Sequence, residues 1–206
     1  MAGYVSIFRR LFRRGPDTAS TDALIALLTE RRVGGRPAED AEAIASSLRL
    51  PRGTRAIAVV ELGDEAAPLR HVVASRIGGE AAGHMGKITV TGIHVTLDRS
   101  SLLAEWPSGW STPLLAQPQD RGSFSWRSLD ATAAGASDAA ALLSASDRIA
   151  RLVNVILNEP HTLQVEIAPS GSSVRVAAHH TGGGLPPGTT LEAVLGIARG
   201  VAGVEV

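Results

Sequence analysis

Over residues 138–157 apolar side chains recur at steps of three and four. Leu142, Ala145, Ile149, Leu152, Val153 and Ile156 share one side, with Ser144, Asp147, Arg148, Arg151 and Asn154 on the other. That period predicts one amphipathic helix, and Ser137 offers its N-cap hydroxyl. The rhythm then changes to two. Residues 163–168 and 173–178 alternate around a turn at Pro169, Ser170, Gly171 and Ser172, which predicts a hairpin. Its expected register pairs Ile167 with Val174 and Val165 with Val176 on the core face, and sets Glu166 opposite Arg175 on the solvent face. Downstream, Leu191, Val194, Leu195, Ala198 and Val201 form an inward helical stripe, with Thr189 and Glu192 in capping-box spacing.

Upstream, the same reading predicts helices over 22–32, capped by Thr21, and over 38–48, with Ala41, Ile44, Ala45 and Leu48 inward. Two β-rich runs, 55–62 and 69–77, suit an antiparallel pair, and 78–86 reads as a glycine-rich loop. Over 87–97 the alternation switches phase: Ile88 and Val90 share one parity, Ile93, Val95 and Leu97 the other. Gly92 sits at the switch, which predicts a β-bulge there. Residues 100–106 suggest a short helix and 124–129 a strand. Residues 107–123 read as a long loop holding Trp110; with Trp106 just before it, Trp110 and Arg121 are worth testing, the tryptophans as an apolar plug over the core. The whole predicts an α+β fold, a mostly antiparallel sheet with helices on one face and a C-terminal β-α-β-β-α unit. A single domain over 17–206 is expected, with 17–106 and 124–206 as its conceivable halves.

Composition narrows the function. With 44% apolar but only 3% aromatic residues, few rings are available to stack on bases, so nucleic acid is not an expected partner. The absence of cysteine excludes disulfides, thiolate metal sites and cysteine nucleophiles. The net charge of zero hides an asymmetry. Arg9, Arg10, Arg13 and Arg14 put +4 on the first sixteen residues, leaving 16 basic against 20 acidic residues elsewhere. Within this tip Tyr4, Ile7, Phe8, Leu11 and Phe12 fall on one helical stripe, flanked by the arginines. This is the pattern of a helix lying in a membrane interface. The same stripe suits a partner's groove or the protein's own body, and an arginine-rich, acid-free start also fits an organellar transit peptide.

The six histidines are His71, His84, His94, His161, His179 and His180. None follow His-x-His or His-x-x-x-His spacing, and His179 and His180, adjacent on a strand, point to opposite faces, so no metal site and no cofactor is expected. Neither a Gly-x-Ser-x-Gly elbow nor a Gly-rich loop followed by Lys and Ser or Thr is present. Residues 154–188, NVILNEPHTLQVEIAPSGSSVRVAAHHTGGGLPPG, resemble the nucleotide-binding core of histidine-kinase and Hsp90-type ATPases. There a helix carrying a metal-binding asparagine precedes two strands and an Asp-x-Gly-x-Gly loop. The resemblance places Asn154 or Asn158 at the asparagine and Gly182 and Gly184 at the glycines. His180 stands where that family has its adenine-binding aspartate, and it lacks the carboxylate's charge.

The resulting expectation is a non-enzymatic adaptor, cytoplasmic and peripheral on the inner face of a membrane, or bound to a protein partner. Ile7, Phe8, Arg9, Arg10, Leu11, Phe12, Arg13 and Arg14 form the contact. The alternative is a degenerate nucleotide-binding domain using Asn154, His180, Gly182 and Gly184. The alanine-rich helix would also suit a homo-oligomer or a subunit of a larger assembly.

Overall fold

The computed structural model describes residues 16–50, 53–77, 89–119 and 123–204. The basic tip, the loop at 78–86, His84 and Arg121 therefore lie outside the described residues. The elements are α1 (Thr18–Glu30), β1 (Gly35–Pro37), α2 (Ala41–Ser47), β2 (Thr54–Leu62), β3 (Leu69–Ile77), β4 (Val90–Asp98), β5 (Leu114–Pro118), β6 (Phe124–Ser128), α3 (Ala136–Ser144), α4 (Asp147–Leu157), β7 (Thr162–Ser170), β8 (Ser173–Thr181) and α5 (Gly188–Val201). The fold is α+β. Eight strands form one sheet in the order β1-β2-β3-β4-β8-β7-β5-β6, each neighbouring pair antiparallel.

Alternation along the strands gives the sheet two different faces. On the first, Val72, Ala74, Ile93, Val95, Val176, Ala178, Val165 and Ile167 meet Leu24 and Leu28 of α1, Leu143 of α3, Val153 and Ile156 of α4, and Leu191, Val194 and Ala198 of α5 in one continuous core. On the second, α2 packs with Ala41, Ile44, Ala45 and Leu48 against Ala56, Val59 and Val73. The C-terminal end of α2 reaches as far as β7 and β8. Ser170 Oγ donates to the Ser47 carbonyl at 2.5 Å, and Arg175 Nη1 to the Leu48 carbonyl at 2.8 Å.

Several sequence-based expectations are corrected. The helix over 138–157 is two helices: α3 ends at Ser144, and Ser146 starts α4 as a new N-cap, its Oγ accepting from the Ile149 amide at 3.3 Å. Gly135, at φ +69°, rather than Ser137, stands at the N-cap of α3. The first helix starts earlier than Thr21, because Asp17 caps it by accepting from the Ser20 amide at 2.7 Å. The last helix has Pro187 at its N-cap and no side-chain cap; Thr189 instead donates to Glu159 Oε1 at 2.7 Å. Residues 100–106 hold a 3₁₀ turn at Arg99–Ser101 followed by irregular chain.

The strands differ as well. The segment read as one long loop contains β5, which pairs with both β6 and β7. Five residues ending at Pro118 are too few for alternation to announce a strand. Gly92 carries no bulge. It pairs in regular register with Ser75 on one side and His179 on the other, and the parity switch arises because β4 is buried on both faces. The hairpin register is two residues from the expected one: Ile167 faces Val176, Val165 faces Ala178, and the turn is the two-residue Gly171 and Ser172, with Gly171 at φ +63°. A positive φ at the first turn position suits glycine, and the short turn sets the register. The tryptophans do plug the core: Trp110 is fully buried, edge-on to Trp106 at 5.1 Å between ring centroids.

Candidate functional site

The second face carries a line of polar side chains where a sheet under a helix would ordinarily be apolar. Side chains that share this face lie in successive rows: Thr96 with Arg175, then Val73, His94, Ala177 and Glu166, then Ser75, Gly92, His179 and Gln164. Ser75, His94, Glu166, Arg175 and His179 are all buried, His94 completely. They are joined end to end. Ser75 Oγ lies 2.7 Å from His94 Nε2, the His94 and His179 rings meet edge-on at 5.4 Å, and His179 Nε2 is 3.5 Å from Glu166 Oε2. Arg175 Nη2 then donates to Glu166 Oε1 at 2.7 Å, and its Nη1 to the end of α2.

The pair predicted for the solvent face, Glu166 with Arg175, does form, but diagonally and inside the protein. Losing water costs both ions, and the bonds from Arg175 to Glu166 and to the Leu48 carbonyl offset that cost. Burial alone would raise the Glu166 pKa. The His179 imidazole 3.5 Å away and then the charge of Arg175 outweigh it and hold the carboxyl below its usual value. For His94, burial and then the neighbouring His179 and Arg175 push the pKa well below that of a free histidine, so its ring is neutral. His94 Nδ1 and Arg175 Nε are buried without a hydrogen-bond partner among the described residues.

Gly92 is the gap in this line. A Cβ there would lie 2.8 Å from His94 Nε2, 2.9 Å from Ser75 Oγ and 3.0 Å from His179 Nδ1. Three polar atoms from three adjacent strands already fill the space a side chain would need, so only glycine fits this position without displacing them. Neither the close approach at Gly92 nor the Ser75 and His94 pairing was visible in sequence spacing, because β3, β4 and β8 bring together residues far apart in the chain.

The residues singled out by the ATPase resemblance are distributed differently. His180 turns to the helix-covered face, its Nδ1 3.2 Å from Thr162 Oγ1, and burial lowers its pKa. Asn154 is half-buried on α4, and its side chain has no hydrogen bond among the described residues; Asn158 is the C-cap of that helix. Gly182 and Gly184 are exposed in the connection to α5, where Gly182 has φ +140° and Arg76 Nη2 donates to the Gly183 carbonyl. No hydrogen bond joins Asn154 to His180. Among the described residues no three His, Cys, Asp or Glu side chains form a metal-binding group, and no helix is long and apolar enough to cross a membrane.

Asp17 is tied to the sheet through its amide, which donates to the Ile57 carbonyl at 2.9 Å. Exposed Arg55 lies close enough, with Arg76, to lower the Asp17 pKa, after the larger effect of the Ser20 amide hydrogen bond. Arg55 and Arg49 line one open groove of about 330 Å³. A comparison with protein-family models, curated proteins and solved structures finds no match.

Proposed function

We propose that the protein is an adaptor that attaches to an anionic membrane surface through its N-terminal tip. The carrying observation is the sequence pattern of Tyr4, Ile7, Phe8, Leu11 and Phe12 on one helical stripe with Arg9, Arg10, Arg13 and Arg14 beside it. Each arginine near anionic lipid contributes about 1 kcal/mol, and the apolar stripe adds about 25 cal/mol per Å² buried, so attachment is reversible. The groove lined by Arg49 and Arg55 supports the reading, because it adds positive charge to the body, and Arg55 lies near Asp17, the residue that follows the tip in the chain. The first helix starts at Thr18, which leaves little linker between tip and body.

The test is co-sedimentation of the full chain with vesicles containing phosphatidylserine, against a chain in which the four tip arginines are glutamine. Pelleting that falls at least tenfold in the variant, and with added salt, is the expected result. Equal pelleting of both chains, or of neither, would sink the proposal.

A further inference from the structure

We propose that the sheet edge at β6 pairs with β6 of a second copy of this chain, antiparallel about a two-fold axis at Trp126. The two ends of the sheet are unequal. β1 is a three-residue edge that ends on Pro37, and a short strand with a proline is a protected edge. β6, at the other end, runs five residues, Phe124–Ser128, with no proline and no register shift. Which of its backbone groups are free follows from the bonds at either end of the β5 and β6 pair. The Leu129 amide donates to the Pro113 carbonyl at 3.2 Å, and the Gln119 amide to the Ser123 carbonyl at 2.8 Å. Antiparallel partners alternate between bonded and non-bonded pairs. Ser125 and Arg127 therefore turn their backbone groups toward β5, and Phe124, Trp126 and Ser128 turn theirs outward. Among the described residues no strand lies beyond them.

A second copy answers this pattern residue by residue. The outward residues are symmetric about the middle one, so in an antiparallel pair Trp126 faces its own copy, Phe124 faces the copy's Ser128, and each outward amide and carbonyl gains a partner. The strand is already extended and held by β5, so it loses little chain entropy on pairing, unlike a free peptide. Charge agrees with this register. Arg127, the charged residue of the strand, comes opposite the copy's Ser125 and not opposite another arginine. Phe124 and Trp126, edge-on at 5.9 Å, belong to the helix-covered core, and the symmetric pairing keeps that face on the same side in both chains, so the two sheets continue as one. Leu129, directly after β6, is the most exposed large apolar side chain among the described residues at 68%, and the start of the second strand comes beside it. Strands this short keep the interface at or below about 1,200 Å², the range of weak association, so the dimer is reversible and micromolar. This assignment is independent of membrane attachment.

The experiment is analytical ultracentrifugation of the full chain without lipid, up to about 500 µM, where a micromolar dimer is populated. A reversible monomer–dimer equilibrium is the expected result. Ser125→Glu sets an acid opposite Arg127 on both sides of the axis and should tighten the dimer roughly threefold, whereas Ser125→Lys should weaken it by about the same factor. Ser128→Pro removes an outward amide that the sheet itself does not use, and should weaken the dimer about tenfold with its circular dichroism retained. If that variant does not fold, the two Ser125 variants still decide. The chain with its four tip arginines as glutamine should dimerise like the wild type, which separates this result from the vesicle test. A wild-type chain that stays monomeric throughout overturns the proposal. So does a dimer indifferent to the sign of the charge at position 125, because it then forms through another surface.

Discussion

At Arg175 one guanidinium serves two buried acceptors, the Glu166 carboxylate at 2.7 Å and the Leu48 carbonyl at 2.8 Å. Arg175→Ala leaves Glu166 charged and unpaired, and should cost about 3 to 5 kcal/mol in urea unfolding. The double variant Arg175→Met with Glu166→Leu should recover most of that loss, since it leaves no orphaned charge. At Asp17 the effect is smaller and depends on pH. The amide hydrogen bond from Ser20 holds its carboxyl below the ordinary value, so its contribution is present above the unfolded carboxylate value of about 3.9 and is lost as pH falls through the lower folded value. Asp17→Ala should cost about 1 kcal/mol at neutral pH. Asp17→Asn keeps a cap but removes the titration, and should flatten the acid limb of stability below about pH 4. Of these residues, Glu166 and Arg175 were legible as neighbours; their burial was not, because alternation assigns a face without saying what covers it.

Among the elements, α4 and α5 pack against each other through glycines the sequence marked only by composition. A Cβ at Gly196 would lie 2.8 Å from Leu152 Cδ1, and one at Gly200 would lie 3.1 Å from Ile149 Cγ1. Glycine weakens a helix by about 1 kcal/mol relative to alanine, and here that cost accompanies a close approach. Gly196→Leu should therefore destabilise by roughly 1 to 3 kcal/mol through overpacking, measured as a shift in the unfolding midpoint at unchanged slope. The break between α3 and α4 has a comparable local cause. The apolar stripe runs through Ala145, but the hydroxyl of Ser146 takes the Ile149 amide and starts a second helix. Hydrophobic period alone cannot distinguish one helix from two on the same face, since both bury Leu143, Ile149 and Val153.

Across the whole molecule, the two stretches that could be read as halves share one sheet, because β4 pairs along its full length with β8. Residues 17–106 and 124–206 prepared as separate fragments should each fail to show cooperative unfolding, while the intact chain should give one transition by both circular dichroism and tryptophan fluorescence. Two separate transitions would contradict this.

The amino-acid sequence by itself determined the α+β class, most of the strands and helices, the antiparallel hairpins and the asymmetric placement of charge. These follow from local periodicity, capping chemistry and composition, which act over a few residues. Only the tertiary structure decided the strand order, the hairpin register, the place of β5, and the meeting of Ser75, His94, His179, Glu166 and Arg175 around Gly92. Those depend on pairings between distant segments, where the gain from burying both faces of the sheet selects one arrangement that no short window of sequence contains.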